Sequence, residues 1–172
     1  MGSLTDFVST FQRGFVHPNL FEVTFPRLPT ALSKYANILR VACKAANIPG
    51  TTFTEAQFMH DGYNEKFVSG IDYDPITLTF LVDGGNETKK DSEIIKVFDE
   101  WGALIFSDGK FGFKNDYACD IKYKIFNRDG SELYTTTIID AYPINITAFD
   151  LSSESRFNIM EYNISFNFLK FV

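Results

Sequence analysis

The chain has 172 residues, 45% of them hydrophobic and 22% charged, with a net charge of −6. That balance fits one domain with a sizeable core and argues against disorder. The negative field disfavours a reader of nucleic-acid phosphates, and no apolar run reaches the length of a bilayer span.

The 19 Phe and 8 Tyr lean toward β-structure, because aromatic side chains suit a pleated, half-buried surface. Met1 to Asp6 has neither a basic nor an apolar region, so no secretion signal is expected there. Residues 1–17 carry Phe7, Val8, Phe11, Phe15 and Val16 at a partly helical spacing and read as an N-terminal arm, either a short helix or a segment that docks elsewhere. Leu20 to Phe25 is predicted as a strand with Phe21, Val23 and Phe25 on one face, broken by Pro26 and Pro29. A turn of helix is expected over Ala31 to Asn37, then a second strand from Ile38 to Ala46, stopped by Pro49-Gly50.

Residues 51–69 read as an extended loop or hairpin bent at Asp61-Gly62, with Tyr63 to Val68 as its return leg. It places Phe53, Phe58 and Met59 where a monomer would normally avoid apolar side chains. Asp72-Tyr73-Asp74-Pro75 forms a turn, and Ile76 to Val82 a strand with Ile76, Leu78, Phe80 and Val82 on one face. The one expected long helix spans 91–106. Asp91 or Ser92 caps it, and Ile94, Phe98, Trp101 and Ile105 make one apolar stripe.

Tyr117 to Phe126 and Ser131 to Ile139 are strands joined by an Asn127-Arg128-Asp129-Gly130 hairpin turn. Tyr142-Pro143 is expected to interrupt, with a short strand from Ile144 to Phe149. From Met160 to Phe168 apolar and polar residues alternate without a fault. Tyr162, Ile164, Phe166 and Phe168 then share the packed face, and Glu161, Asn163, Ser165 and Asn167 the wet one. The sum is a mainly β, antiparallel β-barrel or sandwich with one flanking α-helix and a long protruding loop.

Catalytic chemistry has little to rest on. The sequence contains no nucleophile elbow and no phosphate-cradling glycine loop. Asp72 and Asp74 read as solvated turn residues, His17 and His60 as loop residues without partners at metal spacing, and Cys43 and Cys119 as buried reduced thiols. No catalytic residue, metal or cofactor is expected.

Several stretches, taken in order, resemble the tail tube proteins of contractile-tailed bacteriophages. They are Pro18-Asn19-Leu20-Phe21-Glu22-Val23, Cys43-Lys44-Ala45 through Pro49-Gly50, Phe58-Met59 and Thr77-Leu78-Thr79. The helix with Phe98, Asp99 and Trp101, then Tyr142-Pro143-Ile144 and the last alternating strand, complete the set. The resemblance covers nearly the whole chain as a single tail-tube domain, 1–172.

It implies a structural subunit without catalysis, in stacked hexameric rings whose sheets join into one barrel. Sheath, tape-measure, baseplate and tail-terminator proteins would be its partners, and DNA would pass through without sequence-specific binding. The setting would be the virion tail, assembled in the host cytoplasm. Phe7, Phe11, Phe53, Phe58 and Met59 would lie at subunit or ring contacts, and Glu161, Asn163, Ser165 and Asn167 would face the lumen. Pro26 to Arg40 departs from the family's pattern and is expected to form an outer-surface elaboration. Alternatives are a baseplate tube initiator, the tube of a contractile bacteriocin or secretion system and, more distantly, a ligand-binding β-barrel.

Overall fold

A computed structural model describes residues 18–84, 91–147 and 159–172. Its core is a seven-stranded antiparallel sheet. The strands are β1 (Phe21–Arg27), β2 (Cys43–Ala46), β5 (Ile76–Leu81), β8 (Cys119–Phe126), β9 (Glu132–Ile146), β10 (Glu161–Asn167) and β11 (Lys170–Phe171). The order is β1-β8-β9-β10-β5-β2, with β11 also on β9. Between β2 and β5 stands a separate hairpin of β3 (Thr51–His60) and β4 (Tyr63–Tyr73). Phe106–Ser107 (β6) and Lys110–Phe111 (β7) form a second, very short one.

Strand β9 holds the architecture together. Its first part pairs with β8 and its last part with β10. At the join Cys119 opposes Ala141 and Ile121 opposes Ile138, so β9 carries one residue more than β8. Such a bulge bends a strand. Asp140 lies within it at φ 54°, a left-handed conformation that Asp tolerates better than branched residues. Arg27 clamps the bend. Its guanidinium donates to both Asp120 carboxylate oxygens, at 2.9 and 2.8 Å, and to Asp140. The Arg27 hydrogen bond holds the Asp120 carboxyl below its ordinary range, while Asp140 N donates to Asp120 Oδ1 at 3.1 Å.

The two half-sheets on either side of this bend present alternating residues to one core. Val23, Phe25, Ile121, Tyr123 and Ile138 come from one half, and Ile76, Leu78, Phe80, Tyr162, Ile164 and Phe166 from the other. The layout is sandwich-like. Helix α2 (Glu93–Ile105) lays Ile94, Val97, Phe98 and Trp101 on the second half. (Helix α1 is Ala36–Ala42 and α3 is Lys114–Tyr117.) Phe98 meets Phe80 at 5.2 Å and Tyr162 at 5.5 Å, and Trp101 meets Phe166 at 5.6 Å, as ring-centroid distances. The buried indole N–H of Trp101 donates to the Tyr117 carbonyl at 2.8 Å, which satisfies its one polar group.

The α2 N-terminus is capped twice. Ser92 Oγ accepts from Ile95 N, and the Asp83 carboxylate accepts from Ser92 Oγ, Glu93 N and Ile94 N. Burial alone would raise the Asp83 carboxyl, but these hydrogen bonds outweigh it and hold it below the usual range.

Three expectations are corrected. Residues 38–42 are not strand: a 3-10 helix over Thr30–Tyr35 runs into α1, and only Cys43–Ala46 is extended. Leu32, Tyr35, Leu39 and Ala42 recur at helical spacing and are all buried, so the Pro26–Arg40 stretch closes the core rather than decorating the outside. Pro143 does not interrupt β9. It lies opposite Phe166, next to a register shift at Ser165/Phe166, where a missing N–H disturbs little.

Both cysteines are free, Cys119 buried and Cys43 half-buried; burial pushes the Cys43 thiol up to about 12. Among the described residues no helix is long and apolar enough to cross a membrane.

Candidate functional site

Two surfaces stand out, one sticky and one not. The sticky one is the β3–β4 hairpin, whose strands, among the described residues, pair only with each other. Its turn is Asp61-Gly62, with φ of 49° and 79°, between the facing pair His60 and Tyr63. Two left-handed residues make the tight hairpin turn that matches strand twist, and Gly62 takes its place without strain. At the base, Asp74 N donates to the Gly50 carbonyl at 3.3 Å, and the Tyr73 ring contacts Phe168 and Phe171 at 5.6 and 5.1 Å.

Register divides the hairpin into two faces, since directly opposed residues share a face. Phe53 opposes Ile71, Glu55 opposes Val68, Gln57 opposes Lys66 and Met59 opposes Asn64. That face is apolar near the base and polar in the middle, where Asn64 Nδ2 donates to Gln57 Oε1 at 2.9 Å and Lys66 pairs with Glu55 at 3.8 Å. The other face carries Ala56 opposite Phe67, then Phe58, His60 and Tyr63, with the Phe58 and His60 rings stacked at 6.3 Å. Phe53, Phe58 and Met59 are 57%, 58% and 74% exposed. Tyr63, Phe67, Val68 and Ile71 are equally open. Tyr63, Phe67 and Val68 fall on the expected return leg, and the register shift at Thr54/Glu55 is what sorts them between the faces.

The other surface is the wet side of β10. Glu161 and Asn163 are exposed, Ser165 and Asn167 half-buried, and Tyr162, Ile164, Phe166 and Phe168 buried. Cross-strand hydrogen bonds tie this face together. Thr79 Oγ1 donates to Asn163 Oδ1 at 2.7 Å, and the Thr77 and Ser165 hydroxyls meet at 3.2 Å. The one acid, Glu161, is ion-paired with Lys44. Lys122 and Lys124 lie elsewhere, on β8 across the Asp140 bend. There Lys124 faces Glu22 and Thr135 across the ladder and pairs with Glu132.

Phe7 and Phe11 lie outside the described residues. A patch that sequence reasoning missed joins Phe106, Phe111 and Phe113, all exposed, the first two with rings 4.9 Å apart. The Phe-Gly-Phe run after the Asp108-Gly109 turn was the available signal. Among the described residues no three His, Cys, Asp or Glu side chains are gathered to hold a metal ion.

The profile of the phage tail tube protein family matches residues 16–172. The chain belongs to that family. Its role is therefore structural, as a subunit of a tail tube.

Solved structures share the fold at low identity. A chain in the extended sheath–tube complex of an extracellular contractile injection system, PVC, is 14% identical with a TM-score of 0.65, covering 100% of this chain and 97% of that one. A chain of the tube-terminating cap of the anti-feeding prophage is 17% identical, TM-score 0.65, covering 92% and 89%. One from the same prophage's baseplate is 12% identical, TM-score 0.65, covering 92% and 94%. Among curated proteins, none matches the sequence.

Proposed function

We propose that this tail tube subunit assembles into stacked hexameric rings, with the β3–β4 hairpin seated on neighbouring subunits and the wet face of β10 lining the lumen. The observation that carries this is the hairpin. It is a two-stranded ribbon with large apolar side chains on both faces and, among the described residues, no other strand paired to it, and such ribbons are marginal alone. Contacts on both faces would give it the missing cover. Phe53, Val68 and Ile71 would meet one neighbour, and Phe58, Tyr63 and Phe67 another, with Met59 near the tip. Phe7 and Phe11 of the arm would reinforce these contacts.

The lumen reading rests on chemistry. Glu161 is neutralised by Lys44, and the remaining side chains are hydroxyls and amides, so a DNA backbone meets few cations to exchange for its counterions. A sheath would surround the tube, with baseplate, tape-measure and tail-terminator proteins at its ends or within it. The particle would be a virion tail assembled in the host cytoplasm.

The test is negative-stain microscopy of purified protein over a wide concentration range, paired with sedimentation. Hollow tubes or six-fold rings are expected. A strictly monomeric species throughout would overturn the reading.

A further inference from the structure

The short β6–β7 ribbon and the residues after it carry a second apolar surface. Phe106, Phe111 and Phe113 are 51%, 81% and 83% exposed, yet their backbone is fixed to the core. Phe106 N donates to the Gly102 carbonyl at the end of α2, and Gly112 N donates to the Ile105 carbonyl at 2.9 Å. A Cβ at Gly112 would stand 2.2 Å from the Leu104 carbonyl oxygen, so only glycine allows this approach. On the other side Asp116 N donates to the Phe113 carbonyl at 2.9 Å, and α3 ends at Tyr117, whose carbonyl takes the buried Trp101 indole N–H. Open rings on a held backbone lose little freedom when they are covered, which suits a contact surface.

The patch and the β3–β4 hairpin both stay exposed in the subunit, so neither covers the other within one copy. A ring or stack that repeats one head-to-tail contact joins two different surfaces, one from each copy. Off the hairpin, no other stretch of the described residues gathers three exposed aromatic rings. The Phe58 face of the hairpin matches the patch in area. Its Phe58, Tyr63 and Phe67 rings and the three of the patch together offer about 800 Å², at roughly 200 Å² per aromatic side chain. That is about half of a standard interface of roughly 1,600 Å².

Charge selects the same face. On the Phe53 face Glu55 and Lys66 pair with each other, whereas Glu65, directly opposite Phe58, has no ion pair among the described residues. Lys110 and Lys114, next in the chain to Phe111 and Phe113, have none either; the Lys114 ammonium only lies over the Tyr142 ring at 5.5 Å. We propose that the patch of Phe106, Phe111 and Phe113 receives the Phe58 face of a neighbouring copy's hairpin, with Glu65 set against Lys110 and Lys114. As the acceptor for an assembly contact, it rests on the tube reading above.

The test uses the full chain with Phe113→Asp. Phe113 is exposed and stands at the N-cap of α3, where Asp is favoured, so the fold is kept; near-UV circular dichroism checks this. In sedimentation over a dilution series the assembly threshold should rise about 100-fold, as for Phe58→Asp. A threshold within about threefold of wild type, while Phe58→Asp still blocks assembly, would overturn the acceptor and leave the tube reading standing. A wild type that stays monomeric throughout overturns both.

Cross-linking gives a second readout. Glu65→Cys protein is mixed with Lys110→Cys protein at assembling concentration and treated with a short bismaleimide. A product joining positions 65 and 110 of different copies is expected, identified by peptide mass, at about ten times the yield obtained with Leu133→Cys, an exposed control off the patch. Cys43 and Cys119 compete poorly, because burial raises both thiols. Equal yields with Lys110→Cys and Leu133→Cys would overturn the proposal.

Discussion

Phe58→Asp puts the hairpin to its sharpest test. The Phe58 side chain is 58% exposed in the subunit, and an aromatic side chain offers roughly 200 Å² to burial. Covering the open part would remove about 115 Å² from water, worth about 3 kcal/mol at roughly 25 cal/mol per Å². Asp forfeits that and brings a charge that must be desolvated, so each contact should weaken about 100-fold or more. Folding should barely notice. Phe58 is outside the buried cluster, and its ring stacks on His60 of the same strand. Surface changes of this kind usually stay within about 0.5 kcal/mol.

The assay is sedimentation velocity over a dilution series, with near-UV circular dichroism and thermal melting as controls for the fold. The expected result is a native-like monomer whose assembly threshold moves up at least about 100-fold. A shift below about threefold in a correctly folded variant would refute the burial argument. Phe53→Asp, on the opposite face, separates two-sided from one-sided seating. Both variants should block assembly if the hairpin is held between neighbours, and one of them alone if it merely leans on a single neighbour.

Asp83→Ala should destabilise the subunit by about 1–2 kcal/mol at pH 7 through loss of the α2 cap, measured by urea unfolding. Because the Asp83 carboxyl lies below its ordinary value when folded, its contribution is present above about pH 4 and is lost as pH falls through the folded value; the gap between wild type and variant should therefore narrow on acidification, and a gap that widens would refute the capping role. Asp140→Val should cost about 1–3 kcal/mol more than Asp140→Gly, because both lose the Arg27 pair but only Val forces a branched side chain into the left-handed bend; equal losses in thermal melts would show that the ion pair, not φ, governs the bend. Asn163→Lys with Asn167→Lys should leave tubes intact while adding about twelve positive charges per hexameric ring, so DNA ejection slows and recovers with salt; ejection unchanged at low salt would count against a lumenal β10 face.

What could be read from the sequence follows from where each signal is stored. Strands β5 and β10 and helix α2 each put one face in the core and one in water, so a single unbroken period reveals them. A turn of helix over Ala31 to Asn37 was legible, but its continuation from Ile38 to Ala42 hid because Ile, Leu and Val suit a strand equally well. The deciding spacing, Leu32, Tyr35, Leu39 and Ala42, runs across the point where a strand was expected to begin. The continuity of β9 through Pro143 was illegible for a different reason. It depends on the register shift at Ser165/Phe166 on the partner strand, information about twenty residues distant in the chain. The same holds for the hairpin. Exposed Phe53, Phe58 and Met59 were legible as an oddity, but their division between two faces with Val68, Ile71, Tyr63 and Phe67 needs the register shift beyond Thr54.

A tube subunit has to be adhesive toward its neighbours and inert toward what moves past it, and this chain separates the two demands by the source of compensation. The polar face of β10 is satisfied from within: Lys44 answers Glu161, Thr79 answers Asn163, and Thr77 answers Ser165. These pairs are already made within the single subunit. The hairpin is the opposite. Its backbone pairs strand to strand, but Phe53, Phe58, Met59, Tyr63, Phe67, Val68 and Ile71 stay exposed in the subunit. The two surfaces part company at Asp74-Pro75, where β4 ends and β5 begins, and there the Tyr73 ring rests on Phe168 and Phe171 just past the end of β10. If the hairpin is the assembly contact, as proposed, a load taken up there would pass through Tyr73 into the aromatic cluster at the end of β10 and leave the hydrogen-bonded polar face beside it unbroken.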